Sequence, residues 1–412
     1  SETHPYKDGV FFVEMAPLVD AEPLVFRLAE TFNLRIQAGA REKRSPLQQV
    51  LDYLCNKHML LVLDNFEHLI STLNLSETEN ETDAAALVAE ILMTAPLVHI
   101  LVTSRERLNL QVEQVYPIQG LAFPDGVIPQ DAAEYSAIKL FIQTAQSVQP
   151  GFEVTKSDWI HLTRISQLVE GMPLGLELAT AWVDVLSLAD IAAEIQQSLD
   201  FLETELRDLP SRHCSMRATF DNSWRKLDQK EQSIFSQFSV FRGGFAREAA
   251  QEVTGATLRQ LSRLVNKSFV QFDRCQECYR IHELLRQYGA ERLDQETELK
   301  PTLQDRHSAF YCRLLADLAD DQKGAGQPQA LTIIEADIEN VRLAWNHVIA
   351  RQDLEAIDIS AESLFRFYWN NGWWVQGVKE FEKAVAGLRI DEPVGKQGLV
   401  LGKLLAFLGR LY

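Results

Sequence analysis

Hydrophobic and polar positions divide the chain into two differently patterned parts. In the first part, short continuous apolar runs alternate with segments of helical period. Gly9–Met15, Leu60–Leu63 and Val98–Val102 are apolar runs of strand length. Such runs suit strands buried on both faces of a parallel sheet. Between them, Leu24, Val25, Leu28, Ala29 and Phe32 recur at helical spacing, as do Leu47, Val50, Leu51 and Leu54 behind Pro46. Pro46 occupies a favoured first-turn position. Ala84–Met93 is a further helix, and the polar, acidic Ser71–Asp83 reads as a solvated insertion. The order strand, helix, helix, strand, helix, strand predicts a doubly wound α/β sheet.

From Asp131 the pattern is helical. Ala132–Val148, Asp158–Val169 and Gly175–Leu186 are predicted helices, with Glu170-Gly171-Met172-Pro173-Leu174 as punctuation. Gly171 suits a helix end and Pro173 the first turn of the next helix. Asp228–Val240, Ala246–Val253 and Thr257–Asn266 are three further helices, with Gly243-Gly244 a turn. A hairpin follows, Ser268–Phe272 and Tyr279–Ile281, and then a helix from His282 to Leu293. Three helices and a hairpin is a winged-helix order. Beyond Pro301, read as a boundary, come helices at Leu303–Asp320, Ala330–Ala350, Leu354–Asn370, Trp373–Leu388 and Gly398–Tyr412. Long helices with short connections resemble tetratricopeptide pairs. The aromatic cluster around Phe365, Trp369 and Trp374 is either repeat core or a ligand surface.

Composition narrows the function classes. No apolar run among the 412 residues has the length of a membrane span, and no secretory signal pattern opens them. The net charge of -18 is poorly suited to non-specific binding of nucleic acid or anionic membrane. Five scattered cysteines fit a reducing cytoplasm better than a disulfide framework. Cys275 and Cys278 have the spacing of half a zinc site, but no second pair accompanies them, so they read as a hairpin tip.

The candidate chemistry sits at strand ends. Asp64 follows the second apolar run directly, where open α/β sheets bind ligands. A carboxylate there can hold hydrated Mg²⁺ beside a nucleotide phosphate. Arg105 follows the third run after Thr103-Ser104, at the equivalent end, where a cation can read a terminal phosphate. A Gly-x-x-x-x-Gly-Lys-Ser/Thr loop, which would cradle the phosphates, is missing from the sequence. These 412 residues alone are therefore expected to bind nucleotide weakly or not at all.

Five ordered segments, LLVLDNFEHL, ILVTSRERL, LVEGMPLGLELA, SWRKLDQKEQSIFSQFSVFRGGF and YRIHELLRQYGAERL, resemble the STAND class of signalling NTPases. Within it the chain looks most like bacterial AfsR/MalT-like regulators with an NB-ARC-type core. The resemblance implies a multidomain α/β plus α architecture. Its parts are a partial P-loop NTPase domain over 1–125, a helical domain over 126–210, a winged helix over 211–300 and TPR-like repeats over 301–412. It implies ATP/ADP and Mg²⁺ as cofactors, with Asp64 as the Mg²⁺ acid and Arg105 as the phosphate sensor. Asn65 stands where many relatives carry a second acid, leaving Glu67 as the candidate to polarise water. Pro173 resembles the GLPL proline at the base. His282 resembles the histidine of the MHD motif, which contacts the ADP phosphate, although Ile281 and Glu283 replace Met and Asp. One nucleotide touching three domains would act as a latch between closed and open arrangements.

The implied function is an ATP/ADP-controlled switch in a cytoplasmic transcriptional regulator. Self-association would run through the NTPase core, and a small-molecule or protein ligand would bind the repeats. DNA would be contacted only by a domain outside these residues. Two alternatives are a DNA reader using Arg259 and Arg263 before the hairpin, and a nucleotide-independent repeat scaffold.

Overall fold

The computed structural model describes residues 5–15, 22–36, 44–70, 84–124, 131–204, 215–388 and 395–412; the segment 71–83 lies outside them. The chain folds as two compact units, Ser1–Ile118 with Asn266–Ser268, and Gln119–Val265 with Phe269–Tyr412.

The first unit is built on three parallel strands, β1 (Val10–Glu14), β2 (Met59–Asp64) and β3 (Val98–Val102), in that order across the sheet. Helices α1 (Glu22–Thr31) and α2 (Pro46–Leu54) join β1 to β2, and α3 (Ala84–Thr94) joins β2 to β3. The Ser45 side chain accepts the Gln48 N–H, satisfying one orphan donor where Pro46 starts α2. Both crossovers step the same way across the sheet, so right-handed connections put all three helices on one face. Their apolar stripes meet Val13, Leu61, Leu63 and Val98 in one core.

The other face is open. Val10, Phe12 and Leu101 are 47%, 62% and 54% exposed, and β2 alternates buried and half-buried positions. This corrects the expectation of strands buried on both faces: among the described residues, no helix of this unit winds back over the second face.

The second unit begins with α4 (Ser136–Val148), α5 (Asp158–Leu168), α6 (Pro173–Thr180), α7 (Leu188–Gln197) and α8 (Met216–Trp224). The helix expected to run to Leu186 stops at Thr180, and a separate α7 starts behind the Ser187 cap. Then come α9 (Gln229–Phe238), β4 (Gly244–Phe245), α10 (Arg247–Thr254), α11 (Leu258–Asn266), β5 (Gln271–Asp273), β6 (Cys278–Arg280) and α12 (Glu283–Asp294). Gly243 turns at φ +71°, but Gly244 belongs to a strand, not the turn expected there. The antiparallel sheet runs β4-β6-β5. A Cβ on Gly244 would lie 2.9 Å from the Cys278 sulfur, so a larger residue there would need the Cys278 side chain to turn away.

The remaining helices are α13 (Leu299–Asp317), α14 (Gln327–Ala336), α15 (Ile338–Ala350), α16 (Leu354–Asn370), α17 (Trp374–Leu388) and α18 (Lys396–Leu411). Pro301 lies in the first turn of α13, where it forfeits no intrahelical bond. The single helix expected over Ala330–Ala350 breaks at Asp337 into α14 and α15. One apolar cluster runs from Leu227 to Leu411, joining α9–α11 and the small sheet to α13–α18. A second cluster gathers α4–α8 around Leu284 and Tyr288 of α12. Phe365, Phe367 and Tyr368 are buried, while Trp369 and Trp374 are 41% and 54% exposed.

Candidate functional site

In the first unit, β2 and β3 end side by side, Leu63 opposite Val102. Their next residues converge. The Thr103 hydroxyl accepts the Asn65 N–H at 3.0 Å and donates to Asp64 Oδ1 at 2.5 Å. A carboxylate oxygen accepts, so the hydroxyl proton points at Asp64. Asp64 is thereby held through Oδ1. Asn65 adopts the left-handed conformation, φ 61° and ψ 51°, which asparagine tolerates. It turns the chain into one 3₁₀ turn, Phe66–His68. That turn buries Glu67 to 7% exposure and brings its carboxylate 3.6 Å from Arg105 Nε.

Asp64, Thr103, Glu67 and Arg105 therefore form one group at the C-terminal edge of the sheet. Thr103 carries no role in the sequence reading. The available signal was its place, directly after the third apolar run. Glu67, the candidate to polarise water, is an ion-pair partner of Arg105 in this arrangement. One anchored carboxylate fits Mg²⁺, which keeps several waters and takes few protein ligands. Among the described residues, no cluster of three or more His, Cys, Asp or Glu has metal-site geometry.

Pro173 and His282 belong to the second unit. The corner after α5 places Glu170 at φ 47° and Gly171 at φ 65°. The Gly171 N–H closes α5 on Ser166 O at 2.9 Å, and Pro173 starts α6. Two backbones cross here: a Cβ on Gly171 would lie 2.0 Å from Leu121 O, and one on Gly120 2.1 Å from Glu170 O.

His282 caps α12 against the same corner. Its Nδ1 accepts the Leu284 N–H at 3.2 Å, so Nε2 carries the ring proton and donates to Val169 O, also at 3.2 Å. Burial lowers the His282 pKa, opposed by Glu170 and by the Val169 carbonyl, so the ring is neutral at pH 7. The Glu283 N–H donates to Glu170 Oε1 at 2.9 Å, a carboxylate at a helix N-terminus. Both ring nitrogens of His282 are thus engaged, and a phosphate contact would have to displace one of these bonds.

Arg263 of α11 lies 3.6 Å from Asp228 and 3.9 Å from Glu231, the two acids of the α9 capping box. Its charge is locally compensated. That weakens the pairing of Arg259 and Arg263 as phosphate contacts.

No protein-family model matches the chain. It is 30% identical over 348 residues to a Mycobacterium tuberculosis protein, Rv0890c, named as a proposed HTH-type transcriptional regulator. That match takes in 82% of this chain and 36% of the relative, so the chain spans about a third of that relative's length. A second M. tuberculosis protein, uncharacterised, is 26% identical over 311 residues, covering 73% of this chain and 72% of its own. Among solved structures, one match is a Signal Transduction ATPase with Numerous Domains (STAND) protein with a tetratricopeptide repeat sensor from Pyrococcus horikoshii. It is 12% identical with a TM-score of 0.22, over 90% of this chain and 53% of its own. Another is the ORC2 protein of Aeropyrum pernix, 10% identical with a TM-score of 0.29, over 73% of this chain and 80% of its own. Scores that low do not establish a shared fold.

Proposed function

We propose that the chain is the switch portion of a transcriptional regulator, controlled by a magnesium-bound adenine nucleotide at the Asp64 edge of the sheet. The observation that carries this reading is the convergence of Asp64, Thr103 and Arg105 at the ends of two paired parallel strands. In this reading Asp64 holds Mg²⁺ through water, and Thr103 fixes the carboxylate that does so. Arg105 meets the terminal phosphate, and Glu67 positions Arg105. With Asn65 in the second-acid place and Glu67 paired, hydrolysis is slow, and the nucleotide acts as a state marker more than a substrate.

Transcriptional output is proposed from the regulator name borne by the similar M. tuberculosis protein, and DNA contact is assigned outside these residues. The α9–β6 region is proposed as a winged helix used for packing, because its sheet and helices share one core with α13–α18. Those later helices are proposed as TPR-like repeats that receive the stimulus, and self-association is proposed to run through the first unit.

The test is titration calorimetry with ADP and ATP on the longest natural form of the protein, with and without Mg²⁺. Asp64→Asn should weaken the Mg²⁺-dependent affinity by about tenfold or more, which is about 1.4 kcal/mol. Equal affinities in wild type and variant would remove the reading.

A further inference from the structure

A cavity of about 180 Å³ lies within the second unit, between the segment after α9, α12, α13 and α15. Two kinds of wall line it. Val240, Ala290, Leu293 and Leu343 give it an apolar side, and Arg242 and Arg286 a cationic one.

The two arginines share one acid. Arg286 is buried and grips Glu283 with Nε and Nη2, each at 2.8 Å, while Nη1 donates to Ser239 O at 3.3 Å. Arg242 reaches the same carboxylate with a single Nη1 bond at 3.4 Å. Two guanidinium groups thus share the Glu283 carboxylate, and the one further acid acting on Arg242, Glu339, is itself paired with Arg342 at 2.7 Å. Lys300 is paired with Asp294, and His347 with Asp305 at 2.7 Å. Burial lowers the Arg242 pKa and the neighbouring Arg286 charge lowers it further, against the opposing pull of Glu283 and Glu339.

The backbone of Arg242 is held in place, while its side chain is 45% exposed. Its backbone N–H donates to Asn340 Oδ1 at 2.7 Å, and the Asn340 amide donates to Gly244 O at 2.7 Å. The side chain spends one of its five N–H donors on Glu283. A planar guanidinium with spare donors beside an apolar wall matches a carboxylate on a short hydrocarbon body.

We infer that this cavity is a binding site for a small organic carboxylate, its head on Arg242 and its apolar body against Leu293 and Leu343. The site lies wholly in the second unit and does not rest on the nucleotide reading. Occupancy would tie α12 to α13 and α15, so a carboxylate effector would stiffen that junction.

The test uses the full chain with labelled valine and leucine methyls, at constant ionic strength. Sodium butyrate, inorganic phosphate and n-butylammonium chloride are titrated separately. Butyrate should give saturable shifts at Val240, Leu293 and Leu343, and butylammonium none. Arg242→Gln should weaken butyrate by about tenfold, with the fold intact because Arg286 still holds Glu283. Ala290→Leu, which fills the space, should abolish the shifts while the remaining methyl spectrum stays in place. The inference is overturned by non-saturable shifts, by equal response to butylammonium, or by unchanged affinity in Arg242→Gln. Saturation by phosphate but not butyrate overturns it as well, since the apolar wall would then play no part.

Discussion

Glu67 and Arg105 form an ion pair 3.6 Å apart with unequal exposure. The acid is 7% exposed while the arginine side chain is 40% exposed, so the pair spans the edge of the core. An exposed pair is worth little, but an acid left buried without its partner is costly. Arg105→Ala should therefore destabilise the first unit by about 1–3 kcal/mol. Adding Glu67→Gln should recover part of that loss, because the uncompensated charge is gone. Denaturant melts of the two single variants and the double variant measure the coupling; simple additivity would show that the pair is not energetically real. At this scale the sequence was partly legible. Asp64 and Arg105 stand out because each follows an apolar strand. Thr103 and the Glu67 pairing do not, because they depend on the left-handed Asn65 and on strand neighbours 38 residues away.

At the scale of elements, turn grammar was the most readable signal. Gly171 and Pro173 mark the corner between α5 and α6 through local backbone preference alone. The reason the corner tolerates nothing larger is not local: Gly171 meets the backbone of Leu121. Gly171→Ala should cost about 2 kcal/mol or more, from positive φ and from the clash together. A thermal melt showing a loss under about 0.5 kcal/mol would mean the crossing relaxes freely.

The α14–α15 break was not legible, since its cause is a buried network. The Tyr311 hydroxyl donates to Asp337 Oδ1 at 3.2 Å, and Asn340 links Asp337 to His307 at 3.2 and 3.3 Å. Burial raises the Asp337 pKa to about 6 and lowers that of His307 to about 4. The signs oppose. A lowered histidine pKa gives stability that is full above the unfolded value near 6.5 and is lost as pH falls toward 4. A raised aspartate pKa gives stability that is full below 3.8 and is lost as pH rises through 6. Asp337→Asn removes the second contribution, so the variant should lose stability faster than wild type between pH 6.5 and 4. Parallel pH profiles in chemical denaturation would contradict the assignment.

For the whole molecule, the alternation of strands and helices reveals the parallel sheet but not which faces are covered. Coverage follows from crossover direction, and three helices on one side leave Val10, Phe12 and Leu101 exposed. In the second unit, the continuous core from Leu227 to Leu411 means that a piece ending near residue 300 would bare the apolar side that α13 covers. Sequence shows most of the helices, though not the breaks after Thr180 and at Asp337, and it does not show which of them share a core.

We propose that a metal–nucleotide complex seats at the C-terminal edge of β2 and β3. Paramagnetic broadening by Mn²⁺–ADP reads that location directly. On the longest natural form of the protein, with labelled methyls, the complex should erase the Leu63, Val102 and Thr103 signals first. Met59 and Val98 lie at the opposite ends of the same strands, about 13 Å away along each, and should persist at the same concentration. Broadening that is absent, or that reaches Met59 and Val98 before Leu63 and Val102, would contradict the account.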